Sequence, residues 1–484
     1  MTAANDVHID NKFLLPSLSA YRRSPIRAWL RIARDTIRGP HEGHKGIQAR
    51  QEARLRDLVN YARAHSAYYR DHYAGLPEYP HLEEIPPVTK PALIARFDEW
   101  VTDDRVKLSD VEAFIADVER VGMPFADQYA VWTTSGTTGK RGIFLHDPVA
   151  MSVYTMLLLV RAHALTPGGV LRALGKHLRI AAVVATGGHF AGVSMVSMVQ
   201  HRFPRLARGV RTFSIMTPLP HLVEDLNAFN PAILAGYPTA IEVLAEEANQ
   251  GRLRIRPTLI VVGAEVLTPR ARSKIEHTFN TRVFNQYAAS EFLHGIAFDC
   301  GQGWLHVNSD WLILEPIQAD GTPTPPGQPS DTVLLTNLAN RVQPIIRYDL
   351  GDSITTHPDP CACGSPFPAI QVEGRHNDTL RFPNASGHSI AILPLALGTV
   401  IEKTPGVQRF QAYQTQDNEL MIRLETRSDA DPDAVWQHVH QRVQWFFTEN
   451  GIRSVHVQRA SEPPQRDLHS QKYRTVWVAR LKGR

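Results

Sequence analysis

Three features of the chain predict an α/β fold. Short β-branched runs alternate with amphipathic helices through its middle, an arginine-rich helical stretch precedes them, and the character changes after residue 375. The expected architecture is a large domain with mainly parallel sheets, made of an N-terminal helical layer (1–105) and a core (106–376). A small, mobile α+β domain (377–484) follows. With 484 residues, the chain is too long for one hydrophobic core.

Residues 20–75 carry the helical layer. In "ARLRDLVNYARAHSAYYRDHY", Leu55, Leu58, Val59 and Ala62 fall three to four apart, which gives one apolar stripe with basic residues expected outside it. "EEIPPVTKPALIARF" is a proline-broken connector running into a short helix. Strands are expected at "RIAAVVATGG" (179–188), "PAILAGY" (231–237), "TLIVVGAE" (258–265) and "TRVFNQYAAS" (281–290), with helices between them such as "PTAIEVLAEEANQ". In such sheets ligands gather at the carboxyl ends of the strands. Beyond "VEGRHND" (372–378) come "GTVIEKTPGVQRFQAYQ", "ELMIRLETRSD", the helix "PDAVWQHVHQRVQWFFTEN" and a final strand "RSVHVQRA". The joint before this domain is short enough to allow rotation.

Bulk composition excludes several classes. Hydrophobic residues make up 43% and charged ones 21%, ordinary values for a globular enzyme. The net charge of +4 comes from scattered arginines, so nucleic acid is not an expected partner. The apolar run Met156–Val160 is cut by Arg161, far short of a membrane span, and no membrane partner is expected. The start, "MTAANDVHIDNK", lacks a signal peptide's apolar core, and three cysteines suit a reducing cytoplasm.

"VWTTSGTTGK" (131–140) crowds small hydroxylated residues and glycines in front of a lysine, yet it is not a Walker loop. Only two residues separate Gly136 from Gly139, and Arg141 follows Lys140. With five further segments in order, this stretch resembles the adenylate-forming acyl-CoA synthetase superfamily, most of all its phenylacetate–CoA ligase and capsular-polysaccharide ligase branch. The segments are "GAEVL" (263–267), "NQYAASE" (285–291), "IIRYDLGD" (345–352), "VEGRHND" and "SQKYRTV" (470–476).

The resemblance implies ATP, magnesium and a small-molecule acid as ligands. It implies that Thr134, Ser135, Gly136, Thr137, Thr138, Gly139 and Lys140 hold the β- and γ-phosphates through backbone N–H groups, hydroxyls and one charge. Gly263, Ala264 and Glu265 would border adenine, and Tyr287 would stack on it beside Ser290. Glu291 would be the carboxylate on the metal side. Asp352 would take the two ribose hydroxyls, and Arg375 would reach ribose or phosphate. Lys472 would be the mobile cation at the forming acyl phosphate, although Gln471 replaces the family's usual glycine. Asn377 stands at the pivot, where the family usually has Asp or Lys. The acid pocket would be lined by His189, Phe190, Gly236, Tyr237 and Ala288, a set that fits an aromatic or otherwise planar acid better than a long alkyl chain.

Cys361 and Cys363, with the distant Cys300, offer three thiolates for a tetrahedral zinc whose fourth ligand would be His294, His306 or His357. Buried thiols without metal are the alternative. A zinc here would be structural, since the implied chemistry already has its metal.

The expected activity is therefore that of an ATP-dependent ligase, which forms an acyl adenylate with release of pyrophosphate and passes the acyl group to coenzyme A. A different acceptor (amine, carrier thiol or sugar), or a non-carboxylate oxyanion such as nitrite as the activated group, remains open. So does a non-catalytic ATP-binding relative. Oligomeric state is not written in the sequence; relatives in this branch often form dimers.

Overall fold

The computed structural model describes residues 13–134, 142–161, 178–186, 188–215, 217–375, 380–383, 389–392, 394–452, 455–465 and 473–479. The chain divides into two compact units. One comprises 1–315, 334–350 and 356–370; the other comprises 316–333, 351–355 and 371–484.

The first unit opens with helices, among them α1 (Pro25–Arg38) and α2 (Gly43–His65). A hairpin, β1 (Ala130–Thr133) and β2 (Ile143–His146), leads into α3 (Pro148–Arg161). The alternating region follows: β3 (Ile180–Val184), β4 (Val210–Ser214), α4 (Leu219–Phe229), β5 (Ile233–Gly236), α5 (Pro238–Asn249), β6 (Leu259–Gly263), α6 (Pro269–Phe279) and β7 (Val283–Ala289). After β7 come β8 (Phe292–Asp299) and β9 (Leu305–Val307). The order across the sheet is β9–β8–β7–β6–β5–β3–β4. Neighbours from β4 to β7 run parallel, and β8 and β9 return antiparallel. All four strands expected from β-branched runs are present, as β3, β5, β6 and β7. Leu226, Leu234, Ile241, Leu244, Ile260, Val262 and Ile275 close the core between this sheet and α4–α6.

The chain then passes through β10 (Leu312–Ile317), β11 (Thr332–Asn337), β12 (Tyr348–Asp349), β13 (Asp352–Thr356) and β14 (Ala369–Arg375). In the first unit β12 pairs antiparallel with β11, and Ala369 and Ile370 at the start of β14 pair with His306 and Leu305.

In the second unit β15 (Leu380–Pro383) pairs with β16 (Ser389–Ile392). β17 (Val407–Gln416) and β18 (Glu419–Thr426) form a hairpin flanked by β20 (Val476–Val478) and β19 (His456–Arg459), with α7 (Pro432–Glu449) packed on it through Val435, Val439, Val443 and Phe447. The expected helix is there, and so is the strand expected in "RSVHVQRA", but it is not the final one, since β20 follows it and pairs with β17. Among the described residues no helix is long and apolar enough to cross a membrane.

The apolar stripe of α2 is buried as expected: Leu55, Leu58, Val59 and Ala62 are each no more than 8% exposed. The expectation that all basic residues lie outside it is overturned by Arg50 and Arg54, each only 2% exposed. Both pair with Asp35 of α1, and Glu42 also binds Arg50. Arg54 donates to the backbone carbonyl of Asp310 and stacks on the Trp311 ring at 3.7 Å. Arg161, at the end of α3, binds the Asp310 carboxylate at 2.6 Å. Burial of these guanidinium groups is tolerable because each has fixed anionic or carbonyl acceptors and a ring to lie on. Asp35→Ala would leave two buried arginines short of a carboxylate. It is expected to destabilise the first unit by roughly 3–5 kcal/mol, read as a lower denaturant midpoint than that of the parent protein.

Candidate active site

The Ser/Thr/Gly segment is rooted between β1 and β2, whose strand residues are all buried. Two hydrogen bonds close its base. Thr134 N–H donates to the Gly142 carbonyl (2.9 Å), and Gly142 N–H donates to Thr134 Oγ1 (2.8 Å). The Thr134 hydroxyl thus spends an acceptor site at the root and keeps its proton to donate. Ser135, Gly136, Thr137, Thr138, Gly139 and Lys140 lie outside the described residues. Thr133 N–H donates to the His189 carbonyl at 2.8 Å, so this root lies beside the loop that follows β3.

A second loop is fixed at the end of β7. The carbonyl of Ser290 accepts from Trp132 Nε1 (2.8 Å) and from His146 Nε2 (3.0 Å). His146 Nδ1 accepts from the Tyr154 hydroxyl (3.1 Å), whose oxygen accepts from Asn337 Nδ2 (2.7 Å). Asn337 Nδ2 also donates to the carbonyl of Glu291 (2.9 Å). This chain of bonds therefore starts and ends on adjacent residues. It holds the turn that presents Glu291, whose Oε1 accepts from the Tyr348 hydroxyl at 2.8 Å while the residue is 5% exposed. Burial outweighs the Ser290 hydrogen bond and brings His146 down to a pKa of about 3, so the ring is neutral and can accept from Tyr154. Tyr287 lies four residues before Glu291, buried in β7, with half-buried Ala288 after it.

The ends of β5 and β6 are shaped by close backbone approach. A Cβ on Gly236 would come within 2.8 Å of the Val183 carbonyl, and one on Gly263 within 2.9 Å of the Gln286 carbonyl. Ala264 then takes a left-handed φ of 65° and turns the chain. Glu265 reaches the start of α5, where its Oε2 accepts from the Thr239 hydroxyl (2.7 Å) and backbone N–H (3.3 Å). A carboxylate at a helix N-terminus is favourably placed.

Of the residues expected to line an acid pocket, Tyr237 packs on the core of the parallel sheet, and its hydroxyl accepts weakly from Ala185 N–H at 3.4 Å. His189 is 2% exposed, its Nε2 donating to the Asp117 carbonyl (3.0 Å) and its ring lying against Phe114. Nδ1 is left buried without a partner. Phe190 is half-buried and bridges to Thr133.

Asp352 opens β13 behind Gly351 (φ 69°), and Arg375 ends β14; both belong to the second unit. The Arg375 side chain, Asn377 and Lys472 lie outside the described residues. Sequence reasoning missed Trp132, His146, Tyr154 and Asn337. Tyr348 stands inside the quoted "IIRYDLGD" segment and was passed over for Asp352.

The metal candidates converge. Ligand atoms of Cys300, His306, Cys361 and Cys363 all lie within 4.8 Å of one another. Cys300 and Cys361 sulfurs are 3.8 Å apart, close to the spacing that a tetrahedral zinc with sulfur bonds of about 2.3 Å requires. His306 Nε2 is 3.1 Å from the Cys363 sulfur, while its Nδ1 donates to the Phe367 carbonyl at 2.7 Å. That second bond fixes the tautomer which leaves Nε2 free to ligate. His357 instead packs its ring against Trp304, and the His294 side chain is outside the described residues.

No known family profile matches the chain. A solved 2-hydroxyisobutyryl-CoA ligase in the postadenylation state, in complex with R3-HIB-AMP, superposes with a TM-score of 0.65 at 20% identity, covering 90% of each chain. The chain has the adenylate-forming ligase fold. The same enzyme in an open conformation with 2-HIB-AMP and CoA gives a TM-score of 0.52, also at 20% identity, over 89% of this chain and 91% of that one. A benzoate CoA ligase from Burkholderia xenovorans LB400 shares this fold at a TM-score of 0.51 and 13% identity, covering 73% and 68%. In sequence, Protein CapK of Staphylococcus aureus is 27% identical over 237 residues; the match spans 48% of this chain and about half (50%) of that relative's length.

The hydrogen-bonded ring needs a neutral His146. Its folded pKa lies below the ordinary 6.5, so its contribution is whole above about 6.5 and is lost as the pH falls toward 3. Wild-type protein is therefore expected to be more stable than His146→Gln at neutral pH, with the gap closing on acidification. Denaturant midpoints for both proteins across that range check it.

Proposed function

We propose that this protein is an ATP-dependent, AMP-forming ligase that activates a carboxylic acid and transfers the acyl group to coenzyme A. The observation that carries the reading is the Ser290–Glu291 turn. A buried carboxylate is held rigidly at the carboxyl end of a parallel sheet, by the same hairpin that roots a Ser/Thr/Gly loop ending in Lys140.

In the proposed reaction an oxygen of the acid's carboxylate attacks the α-phosphorus of ATP, and pyrophosphate leaves. The coenzyme's sulfur then forms a bond to the acyl carbon while AMP departs with the bridging oxygen. The first step gathers negative charge, which the Ser135–Lys140 segment and the Thr134 hydroxyl offset as donors to phosphate. Glu291, oriented by Tyr348, is the residue suited to hold magnesium, which when bound adds further neutralising charge. Tyr287, with the backbone of Gly263 and Ala264, flanks adenine, beside Ser290 and the Glu265 turn. Asp352 and Arg375 take the ribose side. Lys472 is the cation for the forming acyl phosphate, and Asn377 is the pivot. The small residues Gly236 and Ala288, together with Phe190, Tyr237 and His189, favour an aromatic or otherwise planar acid. The chemistry needs all of these only if the adenylate is made, which argues against a purely ATP-binding relative.

We also infer a structural zinc on Cys300, His306, Cys361 and Cys363, supported by the convergence of the four ligand atoms and by the Phe367 carbonyl behind His306. As a d¹⁰ ion with four protein ligands, zinc in such a site contributes folding energy rather than chemistry. Protein purified without added zinc is expected to carry about one atom per chain by elemental analysis, lost in a Cys361→Ser, Cys363→Ser double variant. Metal-free protein with three titratable thiols would end this assignment.

The function is tested by acid-dependent pyrophosphate release from ATP across aryl and alkyl acids, with and without coenzyme A, with products identified by mass. A thioester formed only with coenzyme A is expected, as is a loss on the order of a hundredfold in Glu291→Gln. An adenylate that persists in the presence of coenzyme A would shift the second step to another nucleophile. No acid-dependent release would overturn the reading.

A further inference from the structure

Helix α1 divides into three sectors. At 100° per residue, Ala28, Ile32, Asp35 and Thr36 share one face, and this face is turned inward, with Ala28, Ile32 and Thr36 buried. Asp35, the helix's only acidic residue, is consumed there by Arg50 and Arg54. Ile26, Trp29, Leu30 and Ile37 fall on a second face at spacings of three, four and eleven, and they are 75%, 39%, 56% and 50% exposed. Arg27, Arg31, Arg34 and Arg38 fall on a third, at spacings of four, seven and eleven, and all four are exposed. Arg31 spends one N–H on the Leu14 carbonyl (2.9 Å). Arg22 and Arg23, exposed at the end of the preceding helix Leu18–Arg23, add to the basic charge beside it. The apolar ridge is about 17 Å long.

Four large apolar side chains left in water on one ridge, alongside a row of guanidinium groups and with no outward-facing carboxylate, need an explanation. A solvated helix face has no use for the ridge, and a phosphate site has none either. A folded partner would have to supply a groove with carboxylates along one rim to meet both faces, whereas an anionic bilayer surface meets the ridge and the arginines together. Aliphatic side chains and Trp29 would enter the acyl boundary while the arginines meet anionic headgroups. The inward face already anchors the helix, so it need not fold on contact. We propose that α1 is a peripheral docking ridge for anionic lipid surfaces. This contact needs no spanning segment, and it modifies the expectation that the protein has no membrane partner.

The test is flotation of the full-length protein with vesicles of phosphatidylcholine alone, or with about a third phosphatidylglycerol. Binding to the anionic vesicles only, weakened by high salt, is expected. Arg27→Gln with Arg34→Gln should weaken it roughly thirtyfold, and Ile26→Ser with Leu30→Ser by at least about tenfold. Circular dichroism of each variant would confirm that it remains folded. Absence of binding, equal binding to both vesicle types, or binding indifferent to all four substitutions overturns the proposal. So does an ultracentrifugation result in which the wild type is a dimer that the Ile26/Leu30 variant dissociates, since a second copy would then own the ridge.

Discussion

The carbonyl oxygen of Ser290 is the point on which the candidate site depends. It accepts two side-chain N–H groups, one from each strand of the β1–β2 hairpin, and thereby ties that hairpin to the turn after β7. Trp132 and His146 are stacked with ring centroids 4.3 Å apart, so the two donors brace one another. The hairpin also reaches the loop after β3 through Thr133 and His189. Three loops at one end of the sheet are thus referred to a single acceptor. Breaking it would cost more than one hydrogen bond, because the ring closing on Glu291 is buried and each member left unpaired would be desolvated.

This design explains why the residues proposed for the chemistry are legible in the sequence and their supports are not. Glu291, Tyr287, Lys140 and Asp352 sit in short segments whose local composition marks them. So do the β-branched runs that became β3, β5, β6 and β7. His146, Tyr154 and Asn337 belong to no such segment, and Trp132, though it stands in "VWTTSGTTGK", is not one of the small residues that mark it. They meet Ser290 and Glu291 across large gaps in the chain, and any one of them reads locally as an ordinary buried residue. Position in a ring of hydrogen bonds has no sequence period. The same holds for Arg50 and Arg54: their spacing placed them on a helix, but only the distant Asp310 and the Trp311 ring make their burial tolerable. The cysteines were the reverse case, a rare residue whose mere presence near histidines narrowed the choice, and the fold then selected His306.

The N-terminal helices also change meaning once their polar contacts are traced. Asp310 sits shortly after β9 and binds Arg161 of α3 while its carbonyl takes Arg54 of α2, and Asp35 of α1 joins Arg50 to Arg54. Charges of alternating sign therefore run from the end of β9 through three helices, with Asp310, Arg161, Arg54 and Arg50 buried. Such a network gains little over an apolar core of equal volume, but it penalises any misdocked layer, because a buried charge would lose its partner. Register is what it supplies.

Strand β8 connects the two candidate centres and keeps them apart. Glu291 immediately precedes it and Cys300 immediately follows, so the steps between them set their backbones roughly 30 Å apart at the usual rise per residue. No side chain spans that distance, which argues on geometry alone that a metal on the cysteines takes no part in chemistry at Glu291. Its effect would fall on the strands instead. His306 lies in β9, directly opposite Ala369 of β14, while Cys361 and Cys363 come from the turn just before β14. A metal joining these residues to Cys300 would pin the end of β8 to the last pairing in the unit. At the same end, Asp299 binds Arg272 and accepts from Gly301 N–H (2.5 Å). One strand is thereby held by a hydrogen-bonded ring at its start and by an ion pair at its finish, to which a metal on the cysteines and His306 would add a further link. A rigid β8 keeps the turn that carries Glu291 from drifting when the charge around it changes.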